Sequence, residues 1–357
     1  MRSLWILLLA GSLLPLSAGE PRIAVVGLVH SHVWRHLKAM AAGAPAELVG
    51  VAESNPELVA EAKKLGVRDG LFFDDYRRML GEVKPEIVWA FVENNRHLEI
   101  VQACAPKGIH VIFEKPLAAT LADAREIRRL AKKHGIHVMT NYQMAWWPSN
   151  YAAKRKADSG AIGRVWRLRG IVGHGGPGSR GPRSKYFFAW LTDPVRNGGG
   201  ALIDFGCYNA LWSLWYFGKP EKVYAHVNHL RPETFPKVED NSTLVLSYRN
   251  GVGIFEGSWD LPRSFQDLEI FGLKGSLYVT RNGVKMRLGR RGPEEDLPLE
   301  PLPPEQADPV AHIVDAVKNK KPLTGLVGLD INVDVVEILE AAKRSAATGA
   351  AVKVPLP

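Results

Sequence analysis

Three groups of side chains in this chain of 357 residues have the types and spacing to carry chemistry. The first is Glu114-Lys115-Pro116, directly after the β-rich run His110 to Phe113. A lysine at the carboxyl end of a parallel strand faces the crevice where open α/β sheets bind ligands. Its ammonium can polarise a substrate hydroxyl or carbonyl and lower the pKa of a nearby acid. Lysine before proline is otherwise common in surface turns. The second group is Gly198-Gly199-Gly200-Ala201-Leu202-Ile203-Asp204-Phe205-Gly206-Cys207-Tyr208, which opens an apolar helical stretch. Asp204 and Tyr208 are four apart and share a face if this stretch is helical. A phenol beside an ammonium is a usable acid or base, whereas an isolated tyrosine with a pKa of about 10 is poorly matched to neutral pH. The competing assignment makes Asp204 a helix cap, with Tyr208 and Cys207 as packing.

The third group is Gly27-Leu28-Val29-His30-Ser31-His32, where the first strand candidate feeds a helix. Free backbone N–H groups in such a turn meet the pyrophosphate of a dinucleotide. Of the G-x-G-x-x-G fingerprint only Gly27 is present; Val29 and His32 stand where small residues usually do. Ser31 is placed to cap the helix and His30 or His32 to donate to phosphate, unless the histidines are simply loop residues. Glu53 follows the second strand, 21 positions after His32. A carboxylate there accepts from an adenosine ribose and repels a 2′-phosphate, which favours NAD over NADP.

These groups need a scaffold of alternating strands and helices. Strands are predicted at Ile23 to Val26, Leu48 to Ala52, Ile87 to Val92, His110 to Phe113 and Val138 to Thr140. Helices are predicted near Ser31 to Ala42, Pro56 to Leu65, His97 to Lys107 and Leu121 to His134. That alternation gives a Rossmann-type, doubly wound parallel sheet over residues 20–141. Residues 142–357 change rhythm. Asn250-Gly251 and Asn282-Gly283 separate pairs of strand candidates and predict type I′ hairpins, which need positive φ at both central residues. The second domain is therefore an α+β unit with a mostly antiparallel open sheet. A Pro-rich linker, Pro298 to Pro304, precedes closing helices within 310–348.

Composition narrows the classes. Two cysteines exclude a disulfide scaffold and a four-thiolate zinc site, and nothing in the pattern points to a metal. The net charge of +9 is scattered rather than gathered into a basic motif, so nucleic acid is not the expected partner. Residues 1–19 combine Arg2, the apolar stretch Leu4 to Leu16 and small residues at Ser17-Ala18-Gly19. This reads as a cleaved secretory signal peptide, so a periplasmic or secreted protein without stable membrane insertion is expected.

The Glu-Lys-Pro tripeptide, the Gly-Gly-Gly-x-x-x-Asp-x-Gly-x-Tyr segment and Ser159-Gly160-Ala161-Ile162-Gly163 before a strand resemble the Gfo/Idh/MocA oxidoreductases, over the whole mature chain. Tyr208, where most members carry His, resembles the glucose-fructose oxidoreductase branch. The resemblance implies that Lys115, Asp204 and Tyr208 form the catalytic group. To the cofactor contacts expected from Gly27, His30, Ser31, His32 and Glu53 the resemblance adds Glu114 and Lys115 of the Glu-Lys-Pro motif, and Asn94 and His97, which match the family's Asn-x-x-His. The family's Arg-rich substrate segment is Gln143-Met144-Ala145-Trp146-Trp147 here. Gln143, Trp147 and Trp190 are the candidate carbohydrate contacts, the tryptophans offering apolar faces to sugar C–H groups unless they are core.

The expected protein is thus an exported, NAD-dependent oxidoreductase acting on a sugar or polyol hydroxyl, holding its cofactor, and forming a homo-oligomer through the second sheet. Two alternatives remain open on sequence alone: a redox glycosidase that oxidises and then eliminates, and a non-catalytic sugar-binding protein.

Overall fold

The computed structural model describes residues 19–43 and 45–357; the expected signal peptide falls almost wholly outside the described residues. The N-terminal half alternates β1 (Arg22–Val26), α1 (Val33–Ala41), β2 (Glu47–Ala52), α2 (Pro56–Lys63), β3 (Phe72–Phe73), α3 (Tyr76–Val83), β4 (Ile87–Ala90), α4 (His97–Cys104), β5 (His110–Glu114), α5 (Leu121–His134) and β6 (Val138–Asn141). All six strands are parallel, in the order β3-β2-β1-β4-β5-β6. β1 and β4 are buried along almost their whole length, as strands covered on both faces must be, which is why they read as continuous apolar runs.

Two short elements carry no sequence signal of their own. β3 is only two residues long, and α3 has a strongly charged outer face, its start fixed by Asp75, whose carboxylate accepts from the Arg78 N–H. Ser31 does not cap α1. That helix begins at Val33 with no side-chain cap, because His30 occupies the turn and accepts the His32 N–H on its Nδ1 at 3.2 Å.

The C-terminal half contains α6 (Pro148–Asp158), β7 (Val165–Gly173), α7 (Pro182–Leu191), α8 (Ala201–Phe217), β8 (Lys222–Asn228), β9 (Asn241–Tyr248), β10 (Gly251–Ser258), β11 (Phe265–Gly272), β12 (Gly275–Thr280), β13 (Gly283–Leu288), β14 (Glu294–Asp296), α9 (Pro309–Lys318), α10 (Leu329–Thr348) and β15 (Val352–Lys353). Nine strands form an open sheet in the order β14-β13-β12-β11-β7-β10-β9-β8-β15. Every pairing in it is antiparallel except β7 with β10. α8 lies between this sheet and α10, and α10 in turn packs on α5 of the parallel half.

Both expected hairpins exist, but their turns are shifted by one residue. Gly251 pairs with Tyr248 and Gly283 with Thr280, so the loops are Arg249-Asn250 and Arg281-Asn282, and neither pair has positive φ. Gly251 serves a different need: a Cβ there would sit 2.9 Å from the Trp166 carbonyl oxygen. The predicted type I′ geometry is therefore incorrect, because strand approach rather than turn conformation selects that glycine.

The triple glycine sets the start of α8. Gly198 has φ +95° and its Cβ position lies 2.7 Å from the Ala119 carbonyl oxygen, while a Cβ on Gly200 would be 2.0 Å from the Glu239 carbonyl oxygen. The Glu239 carboxylate then accepts from the N–H groups of Gly200 (2.8 Å) and Leu202 (3.1 Å), satisfying donors that a helix start leaves unpaired. Glu239→Ala removes that cap. The expected cost is about 1–2 kcal/mol, read as a fall of about 2–4 °C in Tm per kcal/mol by calorimetry.

Candidate active site

β5 ends at Glu114 with Lys115 directly after it, and α8 delivers Asp204 and Tyr208 to the same place. Lys115 Nζ donates to the Asp204 carboxylate and, at 3.0 Å, to the Asp204 carbonyl oxygen. It also stands 5.3 Å from the centre of the Tyr208 ring. The second Asp204 oxygen accepts from the indole of Trp259 at 2.9 Å, a contact absent from the sequence reading because Trp259 is 55 residues further on. All of these side chains are buried. Burial alone would lower the Lys115 ammonium, but Asp204 outweighs it and holds the lysine above its ordinary value. Burial likewise works against the Asp204 carboxylate, and Lys115 overcomes it. The pair is therefore ionised on both sides.

Tyr208 is different. Burial pushes its phenol well above the ordinary tyrosine value, with Lys115 only partly offsetting this. Its ring meets Tyr142 edge-on, and Cys207 beside it is buried packing that donates to the Asp204 carbonyl oxygen. Burial therefore favours the protonated phenol at neutral pH.

Around this cluster lie three histidines. His30 is 1% exposed, packed against His32, Phe187 and Trp190. Burial, then His32, lowers its pKa far below the ordinary histidine value. His32 Nδ1 lies 2.8 Å from Glu114 Oε2, and Asn141 Nδ2 donates to the other Glu114 oxygen at 2.7 Å. Burial disfavours the Glu114 carboxylate, but His32 more than compensates and it stays ionised. His30, His32 and Glu114 each place one ligand-type atom within 4.8 Å of the others. His174, on the loop after β7, is half-buried against Phe205 and within electrostatic range of Asp204, Lys115 and His32. Nothing in its sequence surroundings singled it out.

The cofactor candidates divide. Gly27 has φ +77°, and a Cβ there would lie 2.5 Å from Val92, so only glycine lets this turn close over the sheet. Glu53 accepts from Leu28 N–H and Asn55 N–H, each at 2.8 Å, and lines a small cavity of about 110 Å³ with Gly27, Val29, Asp74 and Arg96 at the carboxyl ends of β1 and β2. A glycine turn beside a carboxylate-lined hollow suits the adenosine half of a dinucleotide. Asn94 Nδ2 instead bonds Asn197 Oδ1 at 2.8 Å, which braces the triple-glycine loop.

His97 does not face the crevice. It is fully buried, stacked on Phe113, with Nδ1 held by the Leu117 carbonyl oxygen at 3.0 Å. Its expected cofactor contact is corrected to a brace for the chain after Lys115. Trp190 is also corrected: 1% exposed, with its indole on the Val29 carbonyl oxygen, it is core rather than a sugar platform. Gln143 and Trp147 line a cleft of about 470 Å³ with Arg35, His36 and Arg281, apart from the Lys115 cluster. Gln143 connects the two regions, its Nε2 lying 3.4 Å from His32 Nε2.

A Rossmann sheet with this carboxyl-end site defines an NAD-binding oxidoreductase architecture. Residues 21–142 match the oxidoreductase family model with an NAD-binding Rossmann fold, and residues 151–278 match the GFO/IDH/MocA C-terminal domain. The chain belongs to the GFO/IDH/MocA oxidoreductase family.

It is 29% identical to levoglucosan dehydrogenase of Pseudarthrobacter phenanthrenivorans over 235 residues, covering 65% of this chain and 58% of that protein. It is 26% identical to D-glucoside 3-dehydrogenase of Escherichia coli over 305 residues, covering 77% and 83%. The fold is shared with aldose-aldose oxidoreductase of Caulobacter crescentus, solved with glycerol, at a TM-score of 0.79 and 22% identity over 94% of this chain and 100% of that one. Levoglucosan dehydrogenase solved with NADH and levoglucosan gives 0.76 and 23% over 94% and 100%.

Burial lowers His36 and His97 to about 4, below an ordinary histidine value near 6.5. Between those values the unfolded chain binds more protons than the folded one, so stability falls as pH drops from about 6.5 to 4. His36, tilted against Trp89 with ring centres 4.3 Å apart, supplies part of that slope. His36→Phe should flatten it in urea titrations run across this range.

Proposed function

We propose that this protein is an exported NAD-dependent oxidoreductase of sugar or polyol hydroxyl groups. The observation that carries the reading is the buried, ionised Lys115–Asp204 pair beside Tyr208 at the carboxyl end of β5. A buried ion pair is costly to keep for stability alone. At the crevice of an NAD-binding sheet it gives a fixed positive charge for a substrate oxygen.

Gly27, Glu53 and the turn through Ser31 would hold the dinucleotide, which supplies the acceptor for a hydrogen and two electrons when bound. Lys115 and the Tyr208 hydroxyl donate to the substrate oxygen and stabilise the negative charge that grows on it. Asp204, itself fixed by Trp259, keeps Lys115 charged and aimed. The printed activities of the relatives, on levoglucosan and on glucosides, support a carbohydrate substrate. Glu53 supports NAD rather than NADP.

The leader at 1–19 supports export to the periplasm or beyond. A compartment poor in free NAD then calls for a tightly retained cofactor, nanomolar retention corresponding to about 12 kcal/mol. No helix among the described residues is long and apolar enough to cross a membrane. The outer face of the nine-stranded sheet carries the cross-strand row Tyr224, Val245, Ile254, Arg169, Glu269 and Tyr278, in which apolar and aromatic side chains flank an Arg169–Glu269 ion pair; this half-buried to exposed face supports pairing of two copies through it.

In an NAD-linked assay with levoglucosan, Lys115→Met and Tyr208→Phe should each lower kcat by about 10²-fold or more, with NAD binding by tryptophan fluorescence retained. Parent-like turnover in both would overturn the reading. Mass spectrometry of protein from its native compartment should find a chain starting after Gly19 and, on denaturation, released NAD; a chain starting at Met1 would contradict export.

A further inference from the structure

The Lys115 cluster has a gap in its proton chemistry. Oxidising a hydroxyl releases a proton, yet Lys115 is committed to Asp204 and Tyr208 is a buried, protonated donor. Something else must accept it.

We propose that His32, oriented by Glu114, is the group that takes the substrate's hydroxyl proton. This rests on the oxidoreductase reading above. Glu114 is 1% exposed and fixed by Asn141, whose own Oδ1 accepts from the Trp146 indole at 2.8 Å. The carboxylate therefore cannot rotate away, and at 2.8 Å it accepts the Nδ1–H of His32. The other ring nitrogen is left as the acceptor: the Gln143 amide donates toward Nε2 at 3.4 Å. A buried carboxylate on Nδ1 with a lone pair on Nε2 is the arrangement of a working general base. The His32 side chain is 25% exposed, against 7% for Lys115 and 5% for Asp204, so it can pass a proton onward to water.

The arrangement argues against a phosphate-binding role. With Nδ1 donating to Glu114 and the Gln143 amide directed at Nε2, His32 turns a lone pair outward, the wrong polarity for a phosphate oxygen, and its backbone N–H is already taken by His30 Nδ1. It also gives a use to the histidine standing where the dinucleotide fingerprint has its last glycine. In the proposed step the substrate O–H bond breaks and an Nε2–H bond forms. The O–H electron pair becomes the second bond of the carbonyl as the carbinol hydrogen leaves with its own pair to the dinucleotide. The imidazolium is then balanced by Glu114. The charged or titratable groups facing His32 are Glu114, His30 in the same turn, Arg35 and His36 further along α1, and Lys115, Asp204 and His174 across the crevice.

The test has two independent readouts. First, ¹⁵N NMR of histidine-labelled protein should show His32 protonated at Nδ1 and bare at Nε2 at neutral pH, and Glu114→Gln should disturb that preference; a tautomer protonated at Nε2 overturns the proposal. Second, His32→Ala should lose about 10²- to 10⁴-fold in kcat and recover at least tenfold with added imidazole, while its Kd for NAD stays within twofold. Glu114→Gln should lower kcat while leaving the Kd for NAD unchanged. Loss of NAD affinity without imidazole rescue would make His32 a phosphate ligand, and inactivation of the parent by a chelator with recovery on zinc would make it a metal ligand; either outcome sinks the proposal. If the parent oxidises neither levoglucosan nor a D-glucoside, the oxidoreductase reading fails and the NMR result alone decides the state of His32.

Discussion

The buried contact between Lys115 and Asp204 joins residues 89 positions apart and ties the two halves of the chain at one point. Two unpaired charges would be intolerable at this depth, so each half is obliged to present its member of the pair to the other. Lys115 directly follows β5 of the parallel sheet, and Asp204 sits in the first turn of α8 on the nine-stranded sheet. The placement of this buried charge and the docking of the two halves are the same event.

Much of the remaining polar network holds that contact in register. Glu239 pins the start of α8, Asn94 reaches from the loop after β4 to Asn197, and Trp259 fixes the far oxygen of Asp204. Behind Lys115, His97 grips the Leu117 carbonyl oxygen from below. None of these groups needs to touch a substrate. They limit how far Lys115 and α8 can drift, which matters because misplacing a reacting group by about 1 Å can cost 100-fold in rate.

The parallel half was legible from its sequence because its strands and helices are periodic and its motifs lie at strand ends. Gly27, Glu53, Lys115 and Asp204 stand out in the sequence because each occupies a position defined locally, at a strand end or in the first turn of a helix. What stayed hidden depends on long-range pairing. Trp259, Glu239 and His174 reach the site from the second sheet, and no spacing rule connects them to Lys115. His97 and Trp190 were misassigned for the converse reason: a polar or aromatic side chain near a motif reads as functional until burial shows that it packs. The Asn-Gly hairpins show a third limit, since the dipeptide located the turns but the strand register decided which residues occupy them.

The lone parallel pairing of β7 with β10 has a bearing on how this protein comes to exist as a folded molecule. A parallel pair cannot be closed by a tight hairpin and needs a long crossover; here that crossover contains α7, α8, β8 and β9. α8 is thus part of a loop that closes only when strands from residues 165 and 251 onward have met. Such non-local closure is slow because chain entropy is lost before contacts are gained. The helix bearing Asp204 and Tyr208 therefore owes its position to that closure, and the parallel sheet by itself cannot assemble the cluster.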